Sequence, residues 1–479
     1  MVFSSLFFLF YFLPIVLVSY CVIPVRLRNL YLLLASLFFY AWGEGLYVLL
    51  MLFVTIVNYF FGMSFANKTA TTRRRLLTLG IGIDLIPLLF YKYSAFFLEN
   101  LGVLLKADYV LSLIPKDGIH LPLGISFFTF QAISYLIDTY KGSTPCQKNP
   151  INLGLYIAVF PQLIAGPIVR YHDISKEIET RRVTLDGFSL GVERFIVGLA
   201  KKVLLANPLG LMADAVFKMP ANELSTAAVW LGAISYTLQI YYDFSGYSDM
   251  AIGLGRMFGF TFLENFNFPY ISQSIQEFWR RWHISLSNWF RDYLYIPLGG
   301  NRKGPARTVI NLFLVFFLCG FWHGASWTFI FWGLFHGFFL ALERGWWGQV
   351  LRRTPQFIRH VYVLLVVIVG WIFFRADTFG QGMDLVAILF GGQQTDLLPY
   401  NVFSRLNPLF YLTLSCAVIC MAPTLQFLTD KVRKYQMAIP SQAAMIQPLI
   451  RLSGLSAIFT LSLASLASGV YNPFIYFRF

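Results

Sequence analysis

The sequence predicts an all-α, polytopic membrane protein, and three observations carry that prediction. Of the 479 residues, 57% are hydrophobic and only 13% are charged, whereas a soluble domain carries about 25% charged residues. Apolar runs near the ~20 residues that cross a bilayer as a helix recur along the whole chain. The remaining positive charges stand in short clusters between those runs, as cytoplasmic loops do. These figures exclude a soluble enzyme, a disordered chain and a disulfide scaffold.

The runs fall near Val2–Ile23, Leu30–Trp42, Leu46–Phe65, Leu76–Leu98, Leu121–Tyr140 and Leu153–Val169. They continue near Phe188–Leu211, Ala227–Phe244, Val309–Cys319, Phe321–Leu342, Val361–Phe374, Leu409–Phe427 and Leu449–Val470. Some are short, so about 11–13 transmembrane or half-membrane helices are expected. The first run lacks the basic start and small-residue cleavage site of a signal peptide and reads as a retained span. Arg26 and Arg28 follow it and place its start outside the cytoplasm. Arg73–Arg75 come two runs later, on the same face, which makes the intervening pair a helical hairpin.

Residues 170–187 and 429–445 are the most polar stretches and read as surface loops. Neither an internal repeat nor a Pro/Ser-rich linker divides the chain, so 1–479 is expected to form one integrated domain. The five cysteines are scattered without a CxxC pair, which supports neither a metal site nor a disulfide frame. In a soluble protein the net charge of +14 would suggest nucleic acid. Here it marks loops such as Lys201/Lys202 and Lys431/Arg433/Lys434, and the partner it implies is the lipid bilayer.

Polar chemistry becomes dense only in 243–336, the expected catalytic core segment. Asp243, Ser245, Ser248 and Asp249 follow an apolar run; Glu277, Arg280, Arg281 and His283 then stand among tryptophans. On one continuous helix Trp279, His283, Ser287 and Arg291, four residues apart, would share a face. A stripe of ring, imidazole, hydroxyl and guanidinium belongs in a protein interior, because ionisable groups facing lipid are costly.

His323 sits inside an apolar run between Gly320 and Gly324, beside Trp322. Small flanking residues let backbone or substrate approach closely. An imidazole there can take a proton from a hydroxyl and return it to a leaving group. Water-poor surroundings also suit acyl transfer, since water would hydrolyse an activated acyl group. His336, 13 residues on, would lie about 220° around a continuous helix and reads as structural. His120, His172 and His360 read as residues of loops or run ends. No G-x-S-x-G, Walker A, GxGxxG or H-E-x-x-H pattern accompanies these residues, so serine hydrolysis, nucleotide hydrolysis and zinc proteolysis lack support.

Several stretches together carry a family resemblance. They are Met1–Ser5 (MVFSS), Leu121–Phe130 (LPLGISFFTF), Phe160–Pro167 (FPQLIAGP), Tyr242–Gly255 and Glu277–Ser287 (EFWRRWHISLS). Leu298–Arg302 (LGGNR), Trp322–Gly324 (WHG), Phe373–Asp377 (FFRAD) and Asn472–Tyr476 (NPFIY) complete the set. The chain thereby resembles the membrane-bound O-acyltransferase superfamily, and within it the alginate O-acetylation branch and its exopolysaccharide-acetylating relatives. The likeness is more diffuse after Leu342, and Arg478 stands where relatives commonly have a neutral residue.

The resemblance implies helices around a central funnel, with the two family histidines at its constriction. His323 matches the principal catalytic residue and His283 the second. It also implies a multi-pass protein of the bacterial inner (cytoplasmic) membrane without a bound cofactor. Acetyl-CoA or another acetyl thioester would be the donor, reached from the cytoplasm, and a periplasmic polysaccharide O-acetyltransferase the partner.

The mechanism expected is attack by an acceptor hydroxyl, with His323 as general base. His283 would orient the acceptor or stabilise the oxyanion. Trp279, Arg280, Arg281, Ser287, Trp322, Asp243 and Ser245 are the candidate substrate-binding residues. Arg280 and Arg281, with Arg302 and Lys303, are candidates to attract the donor's phosphates. Three other readings stay open: acetylation of cellulose or another cell-surface polymer, D-alanyl transfer to teichoic acid, and a polysaccharide transporter. The transporter needs a continuous polar lumen and no acyl chemistry, and the missing repeat weakens it.

Overall fold

The chain folds into helices joined by tight turns, and no strand occurs among the described residues. The computed structural model describes residues 1–115, 118–163, 166–392, 395–424, 427, 440–469 and 471–473, with main chain only for 440–447. Lys431, Arg433, Lys434, Arg478, the end of the NPFIY block and most of the polar stretch 429–445 lie outside those residues.

Among the described residues six helical stretches are long and apolar enough to cross a membrane. They are Val25–Ser64, Ala70–Leu105, Leu185–Phe217, Pro305–His323, Gln356–Arg375 and Pro448–Ala467. The first comprises two helices, Arg28–Glu44 and Val48–Ser64, separated by a break at Gly45–Tyr47. Phe8–Val22, Phe379–Leu389 and Pro408–Cys420 are shorter apolar helices, so the expected segments divide into full spans and half-length pieces. Large apolar side chains such as Ile15, Val18, Ile56 and Phe60 are exposed. In a multi-pass membrane protein such a surface meets acyl chains and not water.

Two helices have almost no lipid face. Ile125–Lys141 and the 32-residue Thr226–Met257 are buried nearly all round, serines, threonines and aspartates included. A helix buried on every side belongs to the interior of a large assembly of helices. Thr226–Met257, about 48 Å long, lies directly against Leu185–Ala200. A Cβ on Gly198 would stand 2.5 Å from the Gly246 carbonyl oxygen, and one on Gly253 2.6 Å from that of Gly191. Paired glycines bring the two backbones into contact, as small residues do between membrane helices.

Both aspartates on Thr226–Met257 are paired. Asp249 meets Arg194 at 2.7 Å and Lys201 at 2.6 Å, and Asp243 forms a fully buried ion pair with Lys202. Lys202 also donates to the carbonyl of Pro473 and so ties the C-terminal segment to the core. In Ala70–Leu105, Pro87 cannot donate to the preceding turn. The helix passes directly into a wide π turn, Leu89–Tyr93, before resuming at Ser94.

Candidate active site

His323 is the last residue of Pro305–His323; the chain reverses through Gly324–Ser326 and returns as Trp327–Arg344. The hairpin closes on glycine: a Cβ on Gly320 would lie 2.3 Å from the Phe329 carbonyl oxygen, and one on Gly333 2.2 Å from that of Phe316. A Cβ on Gly324 would strike the Phe329 ring at 2.2 Å. Both glycines flanking His323 thus serve close packing within the protein. The reversal also overturns the reading of His336 as lying on the far face of the same helix. His323 and His336 lie on different helices and rest on the same indole, each 5.1 Å from the Trp332 ring centre.

His283 stands at a break. Ile275–Arg281 and Ile284–Phe290 are separate helices, and His283 between them has φ 43° and ψ 56°. A non-glycine residue in this left-handed region costs about 1–3 kcal/mol and persists only where its surroundings enforce it. Here they do: Ile284 N–H donates to the Asn265 carbonyl and Asn267 N–H to that of Arg281, each at 2.9 Å. The expected stripe of Trp279, His283, Ser287 and Arg291 is therefore not one helix face. Trp279 and His283 are buried, Ser287 donates to the Trp279 carbonyl at 3.2 Å, and Arg291 is exposed beside Asp292.

Asn265, unnoticed in the sequence, orders this break. Its side-chain oxygen receives Ser285 N–H at 3.2 Å and Ser285 Oγ at 2.9 Å, while its Nδ2 donates to Ser248 Oγ at 3.0 Å. That pattern makes Oδ1 the acceptor. His283 Nδ1, 3.1 Å from Oδ1, is then the protonated nitrogen. Its Nε2 is buried, has no hydrogen-bond partner among the described residues, and in the neutral ring carries a lone pair.

Trp322 joins the two histidines. Its ring centre is 4.9 Å from that of His323 and 6.4 Å from that of His283. Phe130 stacks on Trp322 at 5.3 Å, Phe244 meets His283 at 4.6 Å, and Phe374 meets His323 at 5.2 Å. Two imidazoles inside an aromatic wall can exchange protons with a hydroxyl while water is kept out.

The other candidates divide. Trp279 packs against Phe316, Trp332 and His336, and Trp322 lines both histidines. Asp243 is held by Lys202. Ser245 is buried, and its Oγ has no hydrogen-bond partner among the described residues. Arg281 pairs with Glu277 at 2.9 Å; Arg280 is exposed. Arg302 and Lys303 are exposed at the opposite end of Pro305–His323 from His323, about 27 Å along the helix axis, so they stand well apart from the histidines. His172, outside the spans, bonds Asp138 at 2.9 Å and Asp173 at 3.2 Å. Those two carboxylates raise its pKa to about 9 against partial burial.

A family model described as membrane-bound O-acyltransferase family matches residues 147–378, a range that holds His283, His323 and Asn265. A probable alginate O-acetylase AlgI of Azotobacter vinelandii is 42% identical, with 100% of each chain covered. The chain belongs to the membrane-bound O-acyltransferase family. Its Pseudomonas putida counterpart, also a probable alginate O-acetylase AlgI, is 43% identical to this acyltransferase over 100% of each chain. A peptidoglycan O-acetyltransferase of Helicobacter pylori is 37% identical, covering 82% of this chain and 80% of that one. The protein is thus a multi-pass membrane O-acyltransferase, with the buried imidazoles His283 and His323 inside the range the family model matches. Lys92 and Asn265 are the site neighbours that motif spacing missed. Only an asparagine in the non-helical stretch between two polar blocks, and a lysine inside an apolar run, signalled them.

Proposed function

We propose that this acyltransferase moves acetyl groups from a cytoplasmic thioester, such as acetyl-CoA, towards O-acetylation of an exported polysaccharide, alginate before others. A periplasmic acetyltransferase receives the group and completes the transfer to polymer. The observation that carries the proposal is full-length similarity to alginate O-acetylases combined with two buried imidazoles that both neighbour the Trp322 ring.

In this reading His323 removes the proton as the acceptor oxygen attacks the thioester carbonyl, and returns it to the departing thiolate. Nothing is reduced or oxidised. His283, with Nδ1–H held by Asn265, accepts through Nε2 from a second donor of the acceptor molecule and so orients it. The aromatic wall limits hydrolysis of the thioester. Arg280 and Arg281 attract the donor's phosphates. The Helicobacter relative supports a second reading, in which the polymer is peptidoglycan.

The test is complementation of hosts deleted for their own homologue. Intact protein should restore base-labile acetyl esters on alginate, and His323→Ala should abolish them at equal membrane abundance. Esters appearing on muramic acid instead would transfer the assignment to peptidoglycan. Full acetylation by His323→Ala would overturn the site.

A further inference from the structure

Lys92 lies inside the apolar span Ala70–Leu105, within its π turn Leu89–Tyr93. A wide turn in a membrane helix re-aims consecutive side chains and often marks a functional site. Here it directs two neighbours at the end of the helix that carries His323. Tyr93 OH donates to the Phe321 carbonyl at 2.8 Å, and Lys92 Nζ donates to the Trp322 carbonyl. These are carbonyls that a helix C-terminus leaves without internal partners.

The adjacent tyrosine shows that a neutral hydroxyl suffices for such a cap, so a side chain able to carry charge needs another explanation here. Nζ also donates to Ser126 Oγ at 3.2 Å and sits 5.6 Å from the Trp322 ring centre. With these two acceptors taken, the ammonium form, which has three donors, keeps one N–H to offer. Among the described residues no carboxylate forms an ion pair with it, whereas the buried Lys202 and the partly buried Lys201 have theirs. A cation inside a membrane span without a counter-charge is costly unless negative charge arrives beside it. Acyl transfer at His323, the residue after the carbonyl that Lys92 caps, generates such charge.

We propose that Lys92 donates its remaining N–H to the acyl carbonyl oxygen and carries the negative charge that oxygen acquires in the tetrahedral intermediate. The proposal rests on the reading of His323 as the transfer site. The acceptor oxygen bonds to the carbonyl carbon, and the C=O π pair moves onto oxygen, facing Lys92. On collapse that pair re-forms C=O, the C–S bond breaks, and the thiolate takes the proton held by His323. Lys92 keeps its own proton throughout.

The decisive variant is Lys92→Gln, whose amide still caps the Trp322 carbonyl but has no charge. In cells deleted for their own homologue and pulsed with [14C]acetate, ester-linked label in exported polymer is measured per unit of membrane protein that elutes as a folded species. Lys92→Gln should slow labelling about 10²–10³-fold, the loss typical of one oxyanion donor, while Lys92→Arg keeps at least about a tenth of the rate. Lys92→Gln within about threefold of the parent overturns the proposal. So does equal inactivity of the Gln and Arg variants, which assigns Lys92 to packing alone. An inactive His323→Ala beside an active Lys92→Gln rejects Lys92 only; an active His323→Ala rejects the site reading and this proposal with it.

Discussion

Asn265 holds His283 in one tautomer: its Oδ1 meets His283 Nδ1 at 3.1 Å, and Ser248 and Ser285 fix which way the amide faces. Removing this support frees the imidazole to rotate or to carry its proton on the other nitrogen. Asn265→Leu should lower acetyl transfer about 10–100-fold, the range for losing an orienting partner. Asn265→Asp, which can still accept from Nδ1, should retain most of it. Polymer-bound ester per unit of membrane protein is the measurement, and equal loss in both variants would contradict an orienting role.

The hairpin that ends at His323 closes on Gly320 and Gly333. With its Cβ 2.3 Å from the Phe329 carbonyl oxygen, Gly320→Ala forces the helices apart. Overpacking of this kind costs about 1–3 kcal/mol, and it also displaces His323. Both a lower unfolding temperature in detergent and reduced transfer are expected; an unchanged midpoint would show that the hairpin opens freely.

Asp243 and Lys202 form a buried pair on the central helices. Asp243→Leu leaves a buried ammonium without its counter-charge, which costs about 3–5 kcal/mol. The double variant Asp243→Leu/Lys202→Met removes both charges and should recover most of that loss. Thermal unfolding of the four proteins in one detergent gives the coupling. Additive losses would mean that the two residues act independently.

His172 supplies a pH dependence outside the spans. Asp138 and Asp173 bond its imidazolium and raise its pKa to about 9, above the unfolded value of about 6.5. Because the folded pKa is the higher one, the stabilisation is complete below about pH 6.5 and is lost as pH rises through about 9. His172→Gln should flatten the fall of unfolding temperature across that window. An identical slope in the variant would place its cause elsewhere.

Much of the site was legible because its residues are polar where the chain is otherwise greasy. His283, His323 and Trp322 stood out on those grounds, and the structure brings them together around one indole. Spacing misled wherever it assumed an unbroken helix. The left-handed backbone at His283 breaks the stripe from Trp279 to Arg291, and the reversal at Gly324 puts His336 beside Trp332. Asp243 stood out as an acid in an apolar helix, but spacing did not show that Lys202, on another element, pairs with it. Asn265 and Lys92 carried no motif, since their roles exist only through groups distant in the chain.

The sequence by itself determined that this is a helical membrane protein with its polar chemistry concentrated around two histidines. Composition and apolar run length set that outcome, since a bilayer admits few chains other than apolar helices. Only the tertiary structure decided which groups surround the imidazoles: Trp322 beside both, Asn265 at His283 Nδ1, and Lys92 at the helix end that bears His323. The physical reason is that hydropathy is a property of each segment alone. A hydrogen bond or a shared ring contact depends on where a helix breaks and which neighbour packs against the break.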